Sequence, residues 1–65
     1  MNEINEIKWL RVQTDRSQSE FGKLLNISRG TIANWESGIR KPPEYVVQLI
    51  KYYLLHEGLI KYDKF

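Results

Sequence analysis

Between Ser17 and Gly38, two short apolar-periodic segments stand back to back, each opened by a serine and closed by a residue that tolerates a left-handed backbone. Ser17-Gln18-Ser19-Glu20 has the form of a capping box, in which Ser17 accepts from the third amide of a helix and Glu20 reaches back to the cap amide. Phe21, Leu24 and Leu25 follow, and Asn26 comes directly after them. Asn is among the few non-glycine residues that take the left-handed conformation closing a helix. Ser28 is a good cap for a new helix, Ile32 and Trp35 share a face, and Ser37-Gly38 ends it. The pattern predicts two helices joined by a tight turn over about 17–37.

The flanking sequence extends the same reading. Ile4, Ile7 and Leu10, with Val12 near the end, predict a first helix over about 2–13, broken by Thr14-Asp15-Arg16. Ile39-Arg40-Lys41 is a basic loop, and Pro42-Pro43 cannot sit inside a helix but suits the opening of one. A fourth helix is expected over about 43–56, ended by Gly58, with 59–65 as a tail or short extra helix. No strand pattern competes. The expectation is an all-α, compact domain of four to five helices spanning 1–58.

Composition narrows the function. A 65-residue chain with 42% hydrophobic residues can form one small core. There is no cysteine, so neither a disulfide nor a thiolate metal site holds it. His56 is the only histidine, which leaves no material for a histidine metal site or a nucleophile–base–orienter set; no enzyme, metal or cofactor is expected. The first six residues are acidic and polar, unlike a signal peptide, and no apolar run approaches the roughly 18 residues of a membrane span. A cytoplasmic protein with no membrane partner is expected. The formal net charge is +2, but residues 16–41 carry a net +3 and the rest a net −1. That asymmetry fits either a nucleic-acid face or ordinary solvated charge.

The residues between Leu10 and Pro42 resemble the phage repressor and Cro family, the xenobiotic-response-element type of helix-turn-helix. The matching stretches are Leu10-Arg11, Ser17-Gln18-Ser19-Glu20-Phe21-Gly22, Asn26-Ile27-Ser28-Arg29-Gly30-Thr31-Ile32-Ala33-Asn34-Trp35-Glu36-Ser37-Gly38, and Arg40-Lys41-Pro42. The resemblance implies a lambda-repressor-like fold that binds double-stranded DNA with the helix at about 29–36 in the major groove. It also implies roles. Gln18 would contact a phosphate, and Ser28 would cap the recognition helix and touch phosphate. Arg29, Gly30, Thr31 and Asn34 would occupy its exposed positions, while Ser37, Arg40 and Lys41 would meet the backbone beyond the groove. Arg11 and Glu36 would form a salt bridge behind it.

Elementary physics agrees. Helix N-termini attract phosphate through outward amides, and a helix fits the B-DNA major groove. Arg29, at the N-terminal end, can donate two parallel hydrogen bonds to guanine. Asn34, placed further along on the same face, can pair with adenine or hold a phosphate. Gly30 reads nothing through a side chain but lets the backbone come close. Gly22 is assigned to close packing of the two helices, and Phe21, Leu25, Ile27, Ile32 and Trp35 to the core. Thr14-Asp15 stands where the family commonly has a glycine-containing turn.

The fourth helix is apolar on two sides. Val46, Val47, Ile50, Tyr53 and Leu54 cluster on one, and Tyr45, Leu49, Tyr52 and Leu59 on nearly the opposite one, flanked by Leu55 and His56. A helix apolar on two faces needs two partners. One is the core; the other is either the tail or a second copy. The expectation is a homodimeric repressor on a pseudo-palindromic operator, meeting through Tyr45, Leu49, Tyr52, Leu55 and Leu59. The alternative is an antitoxin or partner-binding module, whose second apolar face holds another protein such as a toxin.

Overall fold

The computed structural model describes residues 5–61. Among these, helices α1 (Glu6–Gln13), α2 (Gln18–Leu25), α3 (Arg29–Ser37) and α4 (Glu44–His56) follow in order, with no strand and no fifth helix. Of the four to five helices expected, four fall among the described residues.

Each boundary has a local cause. At α1 the side chain of Asn5, in extended backbone, accepts from the Lys8 amide at 3.1 Å, so the helix starts at Glu6 and not near residue 2 as the apolar spacing predicts. Ile4, which contributed to that spacing, lies outside the described residues. Asp15, at φ +60°, turns the chain out of α1. It takes the left-handed position for which glycine is the usual residue, and aspartate is among the few others that visit it. The capping box at α2 forms as its sequence predicts, with the Glu20 amide donating to Ser17 Oγ (3.1 Å) and the Ser17 amide to Glu20 Oε1 (3.0 Å). Asn26 is left-handed at φ +60°, ψ +40°. The amides of Asn26 and Ile27 then donate back to the carbonyls of Lys23 and Gly22, the paired bonds of a Schellman motif. The same motif ends α4, where the amides of Gly58 (φ +73°) and Leu59 donate to the carbonyls of Leu55 and Leu54. Pro43 stands just before α4, and its carbonyl accepts from the Val46 and Val47 amides.

The core takes Ile7 and Leu10 from α1, Phe21 from α2, Ile32 from α3, and Val47, Ile50 and Leu54 from α4. Ile60 closes it after the turn at Gly58, so the chain beyond α4 folds back onto the domain. Leu25, Ile27 and Trp35 pack around this centre half-buried. Val12, read as part of the apolar pattern of α1, is 58% exposed.

On α4 the two-sided reading needs correction in three places. Tyr45, Leu49 and Tyr52 are exposed as expected. Leu55 and Leu59, expected on that outer face, pack against the protein's own core: Leu55 lies on the flank of α4 beside buried Lys51, and Leu59 is brought round by the C-terminal turn. Tyr53, expected inside, is 40% exposed and joins the outer face.

Candidate nucleic-acid interface

Gly22 fixes how α3 is mounted. A Cβ at this position would lie 2.4 Å from the Ile27 carbonyl oxygen, so only glycine lets the turn cross the end of α2 this closely. The close neighbour is the backbone of the turn, where packing between the two helices was expected. Two long-range contacts then hold the other end of α3. The Asn5 side-chain amide donates to the Trp35 carbonyl at 2.9 Å. Arg11 donates through Nε to Glu36 Oε2 at 2.7 Å and through Nη2 to Glu36 Oε1 at 3.0 Å, a bidentate pair with side chains 16% and 6% exposed. The third donor of Arg11, Nη1, reaches the Arg16 carbonyl at 2.9 Å. Burial alone would raise the Glu36 carboxyl, but the hydrogen bonds from Arg11 and Gln18 and the charge of Arg11 outweigh it and hold the group below the ordinary carboxylate value. Reciprocally, the bond to Glu36 raises Arg11.

With α3 held on its inner side by Ile32, its outward stripe follows from the helical repeat of 100° per residue. Gly30, Asn34 and Ser37 share that stripe, with Ala33 at its flank; Gly30 and Ser37 are exposed, and Asn34 is half-buried. Arg29 is exposed at the N-terminal end but lies about 140° around from Asn34 by the same repeat, so the two do not share a face as expected. Gly30 is exposed, and nothing lies within 4 Å of where its Cβ would be. Ser28 caps α3 by accepting from the Thr31 amide (3.1 Å), and the Ser28 and Thr31 hydroxyls are 2.9 Å apart. Thr31 is accordingly half-buried and engaged with its own cap. At the far end Ser37 Oγ donates to the Asn34 carbonyl (3.2 Å), which also accepts from the Arg40 amide (3.2 Å), and Arg40 and Lys41 are both exposed beside it.

Gln18 opens α2 half-buried, and its side-chain amide donates to Glu36 Oε1 at 3.2 Å. The resemblance implied a phosphate contact for it, not a tie to α3. An open cleft between α2 and α3 is lined by Ser19, Lys23, Asn26, Ser28 and Arg29 among others. Lys23 and Ser19, four residues apart and both exposed on α2, were not singled out from the sequence; their i, i+4 spacing is the signal that puts them on one side. Among the described residues no buried side-chain polar atom lacks a hydrogen bond, no group of His, Asp and Glu could hold a metal ion, and no helix is long and apolar enough to cross a membrane.

Two short helices crossing at a glycine-tight turn, with the second presenting an exposed stripe between a cap and a basic loop, define a helix-turn-helix domain. The family model described as Helix-turn-helix matches residues 7–55 of the chain. The protein belongs to that family, in its Cro/C1-type branch, and is in general terms a DNA-binding transcription regulator. Comparison with curated proteins and with solved structures finds no match.

Proposed function

We propose that the protein is a cytoplasmic repressor that lays α3 in the major groove of a specific operator and blocks transcription by occupying a promoter. The observation carrying this reading is α3 held from behind by the Arg11–Glu36 pair, with Arg29, Gly30 and Ser37 exposed along it and Arg40-Lys41 exposed beyond its end. Arg29 reads guanine and Asn34 reads adenine or holds a phosphate. Gly30 brings the helix backbone close, Thr31 supports the Ser28 cap, and Gln18, Ser28, Ser37, Arg40 and Lys41 meet the sugar-phosphate chains.

So small a reader covers few base pairs, and two copies on a pseudo-palindrome, with half-sites about 34 Å apart, supply the missing specificity. The exposed apolar residues Tyr45, Leu49, Tyr52 and Tyr53 are the surface through which the copies meet. The same surface supports a second reading, a partner-binding module of the antitoxin kind. A stoichiometric partner protein that co-purifies and displaces self-association would select it.

The test is selection of duplexes from a randomised pool at about 0.15 M salt, a concentration at which purely electrostatic attachment is weakened. A dyad motif with a guanine in each half-site is expected, and Arg29→Ala is expected to relax that guanine at a loss of about 1–3 kcal/mol per half-site. An enriched motif indifferent to Arg29→Ala would remove Arg29 as reader, and no enriched motif would sink sequence-specific recognition. Repression is tested by transcription from a promoter carrying the selected site; activation there would overturn it.

A further inference from the structure

The Arg11–Glu36 pair does more than brace α3, because Glu36 has a second partner. A carboxylate only accepts hydrogen bonds, so the group of Gln18 that faces it must be the NH₂ and not the carbonyl. At 3.2 Å from Glu36 Oε1, one Nε2–H is engaged and the flip of the amide is decided. Gln18 is half-buried at the first position of α2, so its amide still borders solvent at the end of the helix where the amides point outward. A bare carboxylate at this place would repel DNA. Here it is clasped in bidentate fashion by Arg11 and is 6% exposed, so its charge is compensated at contact distance.

We propose that Glu36 is a positioning residue for DNA: it holds the Gln18 amide in the one orientation that turns its second Nε2–H outward to a phosphate. This rests on the DNA-binding reading above. The side chain is ordered in the free protein, so the binding step does not bear the loss of its rotamers. The contact is to the sugar-phosphate chain, so it strengthens attachment to every duplex by the same factor.

The experiment is a double-mutant cycle in DNA affinity with the full chain, its Gln18→Ala and Glu36→Ala variants and the double variant, each on the selected operator and on an unrelated duplex; alanine at 36 leaves no acceptor for the Gln18 amide, which glutamine would. Gln18→Ala is expected to weaken both duplexes about tenfold in the wild-type background, as for a hydrogen bond to a charged group, and less than about twofold beside Glu36→Ala. An equal loss in both backgrounds means that Gln18 acts without Glu36, and no loss in the wild type means that it meets no phosphate; either overturns the proposal. Should the wild type bind no duplex, the DNA-binding reading falls and this one with it. Should Glu36→Ala fail to fold, the free wild-type protein decides. Proton–nitrogen NMR is expected to show the two Gln18 side-chain protons well separated, one shifted by the carboxylate. A pair with the shifts of a free glutamine overturns the tether.

Discussion

Glu36 sets how the protein responds to acid. Its carboxyl is held below the ordinary value of 4.5 when folded, so the pair's contribution is fully present above that value and is lost as pH falls through the lower, folded one. Stability is therefore expected to drop on acidification below about pH 4.5, and Glu36→Gln to flatten part of that drop in chemical unfolding at pH 3 and pH 7. A part remains, because Ser17 holds the Glu20 carboxyl down in the same way. Arg11→Met leaves the Glu36 carboxylate enclosed without its cation and is expected to cost roughly 3 kcal/mol at neutral pH. The pair itself was legible, since the family pattern supplies both residues. The partners that join it were not: Gln18 lies 18 positions from Glu36, and Asn5 lies 30 from Trp35. Such contacts depend on how the helices cross, and no local periodicity encodes that.

The elements were legible where a cap writes them into the sequence. Ser17, Ser28, Asn26 and Gly38 mark ends that the structure keeps within a residue or two, because a cap satisfies a backbone group that would otherwise be unpaired. Where apolar spacing alone was the guide, the start of α1 was placed too early, since periodicity is blind to an asparagine turning its side chain onto the helix. Two predictions belong here. Ser28→Ala removes both the Thr31 amide bond and the hydroxyl contact, and is expected to cost about 1 kcal/mol in urea unfolding. Asp15→Gly is expected to stabilise by up to about 1 kcal/mol, because glycine takes φ +60° without the Cβ penalty. A lower denaturation midpoint for that variant would show that the Asp15 side chain offsets its own strain.

At the scale of the whole molecule, α4 joins core to surroundings. Its two apolar stripes were legible from the helical repeat, but the fold-back after Gly58, which brings Leu59 and Ile60 onto the core beside Leu55, was not. What remains outside is Tyr45, Leu49, Tyr52 and Tyr53. Leu49→Glu places a charge in the middle of that face without touching the core. It is expected to leave the helical circular dichroism and the melting temperature nearly unchanged while abolishing cooperative occupation of the two half-sites. Retained cooperativity would exclude this face as the meeting surface. Residues 62–65, expected as part of the tail, lie outside the described residues.

The glycines of α2 and α3 have opposite histories open to them. Position 22 is closed, and Gly22→Ala drives a carbon into the Ile27 carbonyl, so such a variant is expected to lose roughly 1–3 kcal/mol or more. Position 30 is vacant, on the outward stripe of α3, with open space around it. Gly30→Ala should stabilise α3 by about 0.5–1 kcal/mol. A longer residue there would meet new bases while the frame beneath stays as it is. On the proposed DNA-binding reading, a lineage of such proteins can therefore shift its target in one mutational step without first re-solving its architecture, and two descendants that differ only at residue 30 would already rank operators differently.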